Sequence, residues 1–487
     1  MLKRVALAVG LLSLALPTWA QAPLPPPVML EAPSPKASTT PPLMMPGMGI
    51  GAPPKKPVST TLTGSSESGR IRTARATPVL RSTLGNGMRV LVTEAPQEDI
   101  VAAELLVQAG SLEEKAPVSG ITSLIQELLT DRINNLPNDE DRCENTGSVL
   151  KLTAEPDYAR LSLECTSGNF PAFLSAIGTA ISKPHVTKEE LDKVRTRMVS
   201  NFSDNGGAMN QLYEIFRQTF YRYHPYRNLP KGSKLVIERL TPKDVEEYIS
   251  QYYVPNRMVL SVCGRVDRGT VADLARQDFS VLKANEIKDV EVAWEPQPQE
   301  KEIYLSGGTT VGWLVVGFPA PSVASKDYPA MRLIEAIMGD GLSSRLFTEI
   351  REKRSLAYEL GAQYPPLRGP SHMLTFAITK PEQLSSARRQ LFKEFERLKK
   401  EGVGEQELNE GRNKVIGAYL LDHETNQGKA FNLALAEVSG VGYEYDQNFL
   451  KEIKTVTPTQ VLDVAKQYLG NYTMIVARPP GHFYWDF

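Results

Sequence analysis

The chain has 487 residues, too many for one hydrophobic core and suited to two domains of ordinary size with additions. Its 55 basic and 56 acidic residues leave a formal net charge of -1, which excludes the strongly basic surface that a nucleic-acid partner needs. The count of 3 cysteines is odd, so disulfides within one molecule cannot pair them all.

At the N-terminus, Lys3 and Arg4 precede an apolar run from Val5 to Leu16 and then Thr18-Trp19-Ala20. Charged, apolar and small-residue regions in that order define a signal peptide, expected over 1–20, with cleavage after Ala20 or Ala22. The run is shorter than the roughly 20 residues of a spanning helix, and no cysteine follows it to take a lipid. The mature protein is therefore expected to be exported, periplasmic in a bacterium, and without a transmembrane segment; a short N-terminal anchor is the alternative. Residues 21–77 are rich in Pro, Ser, Thr and Gly, with Pro25-Pro26-Pro27, Pro41-Pro42 and Pro53-Pro54. Such a segment cannot bury enough apolar surface to offset its ordering entropy and reads as a disordered tether.

Ordered sequence is expected from Pro78. Two apolar runs flank Asn86-Gly87, a hairpin signal. Alternation returns from Ala102 to Gln108. A helix then starts near Ser119, with Ile121, Leu124, Ile125, Leu128 and Leu129 at helical spacing on its buried face, and Thr122, Ser123, Gln126 and Glu127 on the opposite one. Cys165 and Cys263 lie in apolar, strand-like runs and read as small buried hydrophobes, with a disulfide between them left open and Cys143 unassigned.

The chain also repeats itself. Leu240-Thr241-Pro242 with Gln251-Tyr252 parallels Val456-Thr457-Pro458 with Gln467-Tyr468 at an offset of 216, and Glu190-Leu191 with Arg195 parallels Glu407-Leu408 with Arg412 at 217. A colinear series of this kind implies two homologous halves, 78–285 and 286–487. Strands arrive in groups rather than alternating strictly with helices, so the expected class is α+β: two similar α/β sandwich domains, each a sheet covered by helices.

The run Met338-Gly-Asp-Gly341-Leu-Ser-Ser-Arg345-Leu-Phe-Thr-Glu-Ile-Arg351 followed by Ser355-Leu-Ala-Tyr358 resembles the second-half signature of the pitrilysin/insulinase family of zinc peptidases. Tyr223-His-Pro-Tyr226 and the strand Arg257 to Gly264 are similar to first-half pieces, so the resemblance covers nearly all of the chain from Pro78. It implies two domains joined into one arm of a clamshell and a zinc site on the helix at Gly120-Ile-Thr-Ser123-Leu-Ile-Gln126-Glu127. There the family has HxxEH, two imidazoles one turn apart with a glutamate base. Ser123, Gln126 and Glu127 replace all three. The family's third ligand, on a later helix, has its expected counterpart at Arg195. The five histidines, His185, His224, His372, His423 and His482, include no pair at ligand spacing, and no histidine accompanies Ser123 in sequence to activate it as a nucleophile.

Arg351 and Tyr358 match the arginine and tyrosine that reach a zinc site from the second half in two-part family members, where they bind the substrate carbonyl and the developing oxyanion. Arg345 is expected to pair with an acid inside its domain. Ser355 stands where the family often has glycine, which puts the orientation of Tyr358 in question if that turn needs a positive φ. The resemblance thus implies a chain that binds no zinc itself, is inactive alone, and completes an HxxEH-bearing partner subunit, which carries the zinc, on a peptide or unfolded-protein substrate. The alternatives are a structural scaffold or a peptide-binding module of the same fold.

Overall fold

The computed structural model describes residues 78–97, 99–134, 143–183, 185–202, 207–287 and 299–481. The expected signal peptide and tether, and His482, lie outside them. The first half runs β1 (Leu80–Thr83), β2 (Arg89–Glu94), β3 (Ile100–Val107), α1 (Ile121–Asn134), α2 (Cys143–Thr146), β4 (Val149–Ala154), β5 (Ala159–Thr166), α3 (Phe170–Ser182), α4 (Lys188–Asn201), α5 (Gly207–Phe220), α6 (Lys234–Ile237), α7 (Pro242–Tyr252), β6 (Met258–Gly264) and α8 (Arg268–Phe279). The second runs β7 (Lys301–Ser306), β8 (Gly312–Ala320), α9 (Tyr328–Gly339), β9 (Glu359–Gln363), β10 (Ser371–Thr379), α10 (Leu384–Glu401), α11 (Glu405–Asp422), α12 (Asn426–Val438), α13 (Glu444–Thr455), α14 (Pro458–Tyr468) and β11 (Thr473–Arg478).

Two mixed sheets result, ordered β1-β2-β6-β3-β5-β4 and β7-β11-β8-β10-β9. The α+β sandwich expected from the grouping of strands is what forms. Asn86-Gly87 turns β1 into β2, with Gly87 at φ 89°. The repeat shows in the caps: Thr241 and Thr457 each close a capping box on the helix behind a proline, α7 and α14.

Each sheet is apolar on both faces, as the period of two requires when no face meets water. In the first, Val90 and Val92 enter the main core under α1, α3, α7 and α8, while Leu91 points the other way with Leu106 and Val259. That second face is covered by α12 of the other half, through Leu433, Ala434 and Val438. The exchange is reciprocal. Helix α5, from the first half, lays Leu212, Phe216 and Phe220 on Val315, Leu374, Phe376 and Ile475 of the second sheet. The Phe216 ring sits where Gly317 has no side chain, since a Cβ there would come within 2.1 Å of it.

Polar ties repeat the pattern. Glu104 on β3 accepts from Arg160 at 2.8 Å, Gln427 of α12 donates to Ser162 beside them, and Arg160 lies 3.9 Å over the Phe431 ring. Glu113, buried, is paired with Arg257 at 2.9 Å and Arg368 at 3.2 Å, one from each half. Phe216→Ala should lower stability by about 3–5 kcal/mol, read as a fall in the urea midpoint, because it empties a site that neither half can fill alone.

His423 ties α11 to α13, its Nε2 at 2.9 Å from Asp446 Oδ1 and its Nδ1 at 2.7 Å from the Tyr419 carbonyl. Burial pulls its pKa down, but the bond and charge of Asp446, the Tyr419 carbonyl and Asp422 outweigh it and hold the imidazolium above the ordinary histidine value. A pKa raised on folding contributes stability that is complete below the unfolded value, near 6.5, and lost as pH rises through the folded one. The melting-temperature advantage of the wild type over Asp446→Asn should therefore shrink as pH is raised from the acid side of that value to the alkaline side.

Candidate functional site

Helix α1 is held at its start by a carboxylate. Glu114 accepts from the backbone N–H of Gly120 at 2.7 Å and of Thr122 at 3.0 Å, satisfying donors that a helix N-terminus leaves open. Burial pushes the Glu114 carboxyl up to about 7, against the pull of those bonds. Gly120 has φ 90° and abuts Gly232, which brings the turn before α6 against the helix. Ser123 Oγ donates to the Pro230 carbonyl of that turn at 2.7 Å.

Two residues expected on the polar face are buried. Thr122 shares a hydrogen bond with Tyr248 of α7, and Gln126, 4% exposed, donates from Nε2 to the Thr153 carbonyl of β4 at 3.2 Å. Helical spacing marks which residues share a stripe, but α7 and β4 close over this one. Among the described residues Gln126 Oε1 has no hydrogen-bond partner. Ser123, Gln126 and Glu127 come together in one pocket with Leu152, Thr153 and Ala154 of β4, Met198 and Asn201 of α4, and Lys231. The pocket thus opens beside β4, the edge strand of its sheet.

Arg195 does not join them. It pairs with Asp192 and donates to the carbonyls of Ile237 and Leu240, the latter just ahead of the Thr241 cap. In the second half Arg412 donates in the same way to the Val456 carbonyl ahead of Thr457, at 2.5 Å. Arg195 is therefore a brace common to both halves rather than the third-ligand counterpart. The arginine of α4 that meets the degenerate site is Arg197, whose guanidinium donates to Glu127 Oε2 at 2.7 Å and to Asp131 at 2.8 Å. The signal for it was in the repeat: a residue matched between a half with a site and a half without one belongs to the frame.

These donors do not fit zinc. A hydroxyl spent on a carbonyl, an amide and a carboxylate claimed by a guanidinium give none of the imidazole or thiolate ligands the metal favours. Among the described residues no group of three or more His, Cys, Asp or Glu is placed to hold a metal ion. His185 faces Glu246, His372 lies between Tyr213 and Tyr221, and His224 donates no ring nitrogen to the pocket.

In the second half, α9 ends at Gly339 and the chain returns through a π-helical turn, Phe347–Glu352, in which Lys353 N donates to the Thr348 carbonyl at 3.0 Å. Such turns hold one residue more than the α-helix allows and recur at functional sites. Arg351 lies in it, exposed, its guanidinium 5.0 Å from the Phe347 ring centre. Ser355 follows at φ 53°, the one non-glycine residue with a positive φ among those described. The serine thus keeps the left-handed turn, at a steric cost of about 1–3 kcal/mol. Tyr358 is then anchored by its N–H to the Ile378 carbonyl at 2.8 Å, one residue before edge strand β9, with its side chain 51% exposed.

The neighbouring cations are occupied. Arg345 is held by Glu407 and donates to the Gly402 carbonyl, and Lys353 and Arg354 pair with Glu349. Among the described residues, the Arg351 and Tyr358 side chains make no hydrogen bond or ion pair. They do not line the pocket around Ser123.

A two-sheet fold with a peptidase-type helix stripped of its ligands defines a class, and comparisons with known proteins agree. Residues 89–228 match the model for insulinase, peptidase family M16, and residues 239–415 match the model for the peptidase M16 inactive domain. The chain belongs to the M16 (insulinase) family. It is 25% identical to the zinc protease PqqE of Helicobacter pylori over 67% of this chain and 76% of that one. It is 23% identical to an uncharacterised zinc protease of Rickettsia felis over 80% of this chain and 95% of that one. Among solved structures, a protease from Helicobacter pylori superposes with a TM-score of 0.75 at 21% identity, covering 83% of this chain and all of that one. A peptidase M16 inactive domain from Pseudomonas fluorescens gives 0.74 at 19%, covering 82% and 98%.

Restoring ligands discriminates the two arginines. The triple variant Ser123→His, Gln126→Glu, Glu127→His should retain about one zinc per chain after dialysis only when Arg197→Glu is added. Adding Arg195→Glu instead should leave the metal content of the triple variant unchanged and lower its melting temperature.

Proposed function

We propose that this chain is the zinc-less subunit of an exported, periplasmic, heterodimeric metallopeptidase. Its partner, of the same family, carries an intact HxxEH helix and supplies the metal and the general base. This chain supplies half of the chamber and, through Arg351 and Tyr358, donors for the substrate peptide. The observation that carries the reading is the second-half turn. A π-helical turn and a left-handed serine are conformations with a cost, and they hold a guanidinium and a phenol in solvent with no hydrogen-bond or ion-pair partner among the described residues of their own chain.

A guanidinium and a phenol aimed at one carbonyl oxygen bind it in the ground state and bind it more strongly as negative charge grows there. Since neither lines the pocket around Ser123, the reading assigns them to a site on another chain. On this reading the chain itself binds no zinc and cleaves nothing alone. Lys3 and Arg4, the apolar run Val5 to Leu16 and Thr18-Trp19-Ala20 read as a signal peptide, which supports export. Among the described residues no helix is long and apolar enough to cross a membrane.

One feature supports a second reading, that of a peptide-binding module. The pocket beside edge strand β4 has a buried acceptor, Gln126 Oε1, with no partner among the described residues, and an edge strand can pair with an extended peptide. The test is reconstitution with the HxxEH-bearing subunit. Arg351→Ala and Tyr358→Phe should each lower kcat of the pair by about tenfold or more, with the melting temperature of this chain unchanged. A double variant as fast as wild type in the assembled pair would overturn the proposal, and tight binding of unfolded peptide by the lone chain would favour the module.

A further inference from the structure

All three cysteines are described and none is joined in a disulfide. Strand register separates two of them. Cys165 stands opposite Val101 and Cys263 opposite Ala102, its neighbour on β3. Adjacent residues of a strand point to opposite faces, so Cys165 enters the main core, whereas Cys263 faces Asn426 of α12. The disulfide left open between them is excluded by the sheet.

Cys143 is differently placed. It opens the short helix α2, which ends at Gly147 with φ 65° and folds back so that Ser148 N donates to the Cys143 carbonyl at 3.2 Å. That six-to-one bond with a left-handed glycine sets the side chains of the two residues against each other. Thr146 Oγ1 adds bonds to the Cys143 carbonyl at 3.3 Å and to Ser148 Oγ at 2.8 Å. Meanwhile the β4–β5 ladder pairs Leu150 with Leu163 and Val149 with Glu164, so that Ser148, the residue just before the ladder, lies on the Cys165 side of it. Directly opposed residues of antiparallel chains have Cα atoms about 4.5–5.5 Å apart. Cys143 and Cys165 therefore flank one turn and pack on the same core, close enough for Cys143 to act on the Cys165 thiol.

We propose that Cys143 and Cys165 are a redox pair whose disulfide pins α2, and with it the start of edge strand β4, to the end of β5. The oxidant is a disulfide, either a small one such as oxidised glutathione or that of a thiol oxidoreductase. Cys143, the less buried of the two, attacks it as thiolate, forming a mixed disulfide and releasing one thiolate of the oxidant. Cys165 gives up its proton and attacks the Cys143 sulfur, which forms the internal S–S bond and expels the second thiolate. Two electrons and two protons leave the pair, and the oxidant ends as two thiols. Burial, with Cys143 nearby, pushes the Cys165 thiol up to about 12, so the second attack is slow and the finished bond is shielded from exchange. The bond closes the β4–β5 hairpin into a loop at the edge that borders the Ser123–Gln126 pocket.

The test uses the full chain, incubated with oxidised or reduced glutathione, alkylated after unfolding and digested with trypsin. Oxidation should join the peptides carrying Cys143 and Cys165 at a mass two hydrogens below their sum, leave Cys263 alkylated, and raise the melting temperature by a few degrees. Cys143→Ser and Cys165→Ser should each abolish that shift, while Cys263→Ser keeps it. Recovery of alkylated Cys143 and Cys165 in full after oxidation, or a link that involves Cys263, would overturn the pairing.

Discussion

Neither sheet can bury both of its faces with helices from its own half. The arrangement depends on that constraint. Leu91, Leu106 and Val259 would face water without α12, and Val315, Leu374 and Ile475 would do so without α5. Burial of apolar surface is the dominant favourable term in folding, at roughly 25 cal/mol per Å², so two such faces left open would offset much of a domain's net stability. The halves are thus locked by the same force that builds each of them, and the junction is filled by core rather than by a wet, polar interface. The ion pairs there, Glu113 with Arg257 and Arg368, fix register within a contact already made by Phe216 and Leu433.

Much of this frame was legible in the residues. Thr-Pro pairs at Thr241 and Thr457 carry their capping chemistry on their face, and Asn86-Gly87 does the same for the first hairpin. What alternation could not reveal is which helix covers which face. A strand with apolar residues on both sides asks for two layers, but nothing local in Phe216 or Leu433 names the other half as their destination. Long-range pairings are decided by shape: Gly317 accepts Phe216 because it has no Cβ, and a glycine inside a strand reads in sequence only as a weak point. Thr122 and Gln126 were misjudged for a related reason, since helical period orders the residues of α1 while the positions of Tyr248 and β4 decide which of them are covered.

At the site, the absence of the HxxEH side chains is plain in Ser123, Gln126 and Glu127, but which arginine of α4 faces them is not. Two positions separate Arg195 from Arg197 on α4, enough to turn a side chain to another face of the helix. One braces the Thr241 cap and the other meets Glu127. The internal repeat holds the clue, because Arg412 braces the Thr457 cap in the second half as Arg195 braces the Thr241 cap in the first. Ser355 is the converse case. Its identity predicted trouble for a left-handed turn, yet Arg351 and Tyr358 hold on either side of it, since the N–H of Ser355 bonds the Arg351 carbonyl and that of Tyr358 bonds Ile378.

A metal site also cannot be half lost without electrostatic repair. Glu127 puts a carboxylate at the second imidazole position, one turn from the carboxylate of Asp131, and like charges at short range raise each other's energy. Here Glu127 and Asp131 sit one turn apart on α1, and Arg197 spans them with bonds to both. The guanidinium takes over the charge balance that a bound cation would provide, with a fixed fork in place of an exchangeable ion. A chain repaired in this way has no cheap route back to metal binding, since regaining ligands at Ser123 and Glu127 would strand the arginine against a second positive charge. Among the described residues Arg351 has no such ion pair, and Glu349 of the same turn is taken up by Lys353 and Arg354. In the first half the carboxylates are paired within the chain, whereas in the second half Arg351 and Tyr358 stay exposed, and the proposed role in a partner's site rests on that asymmetry.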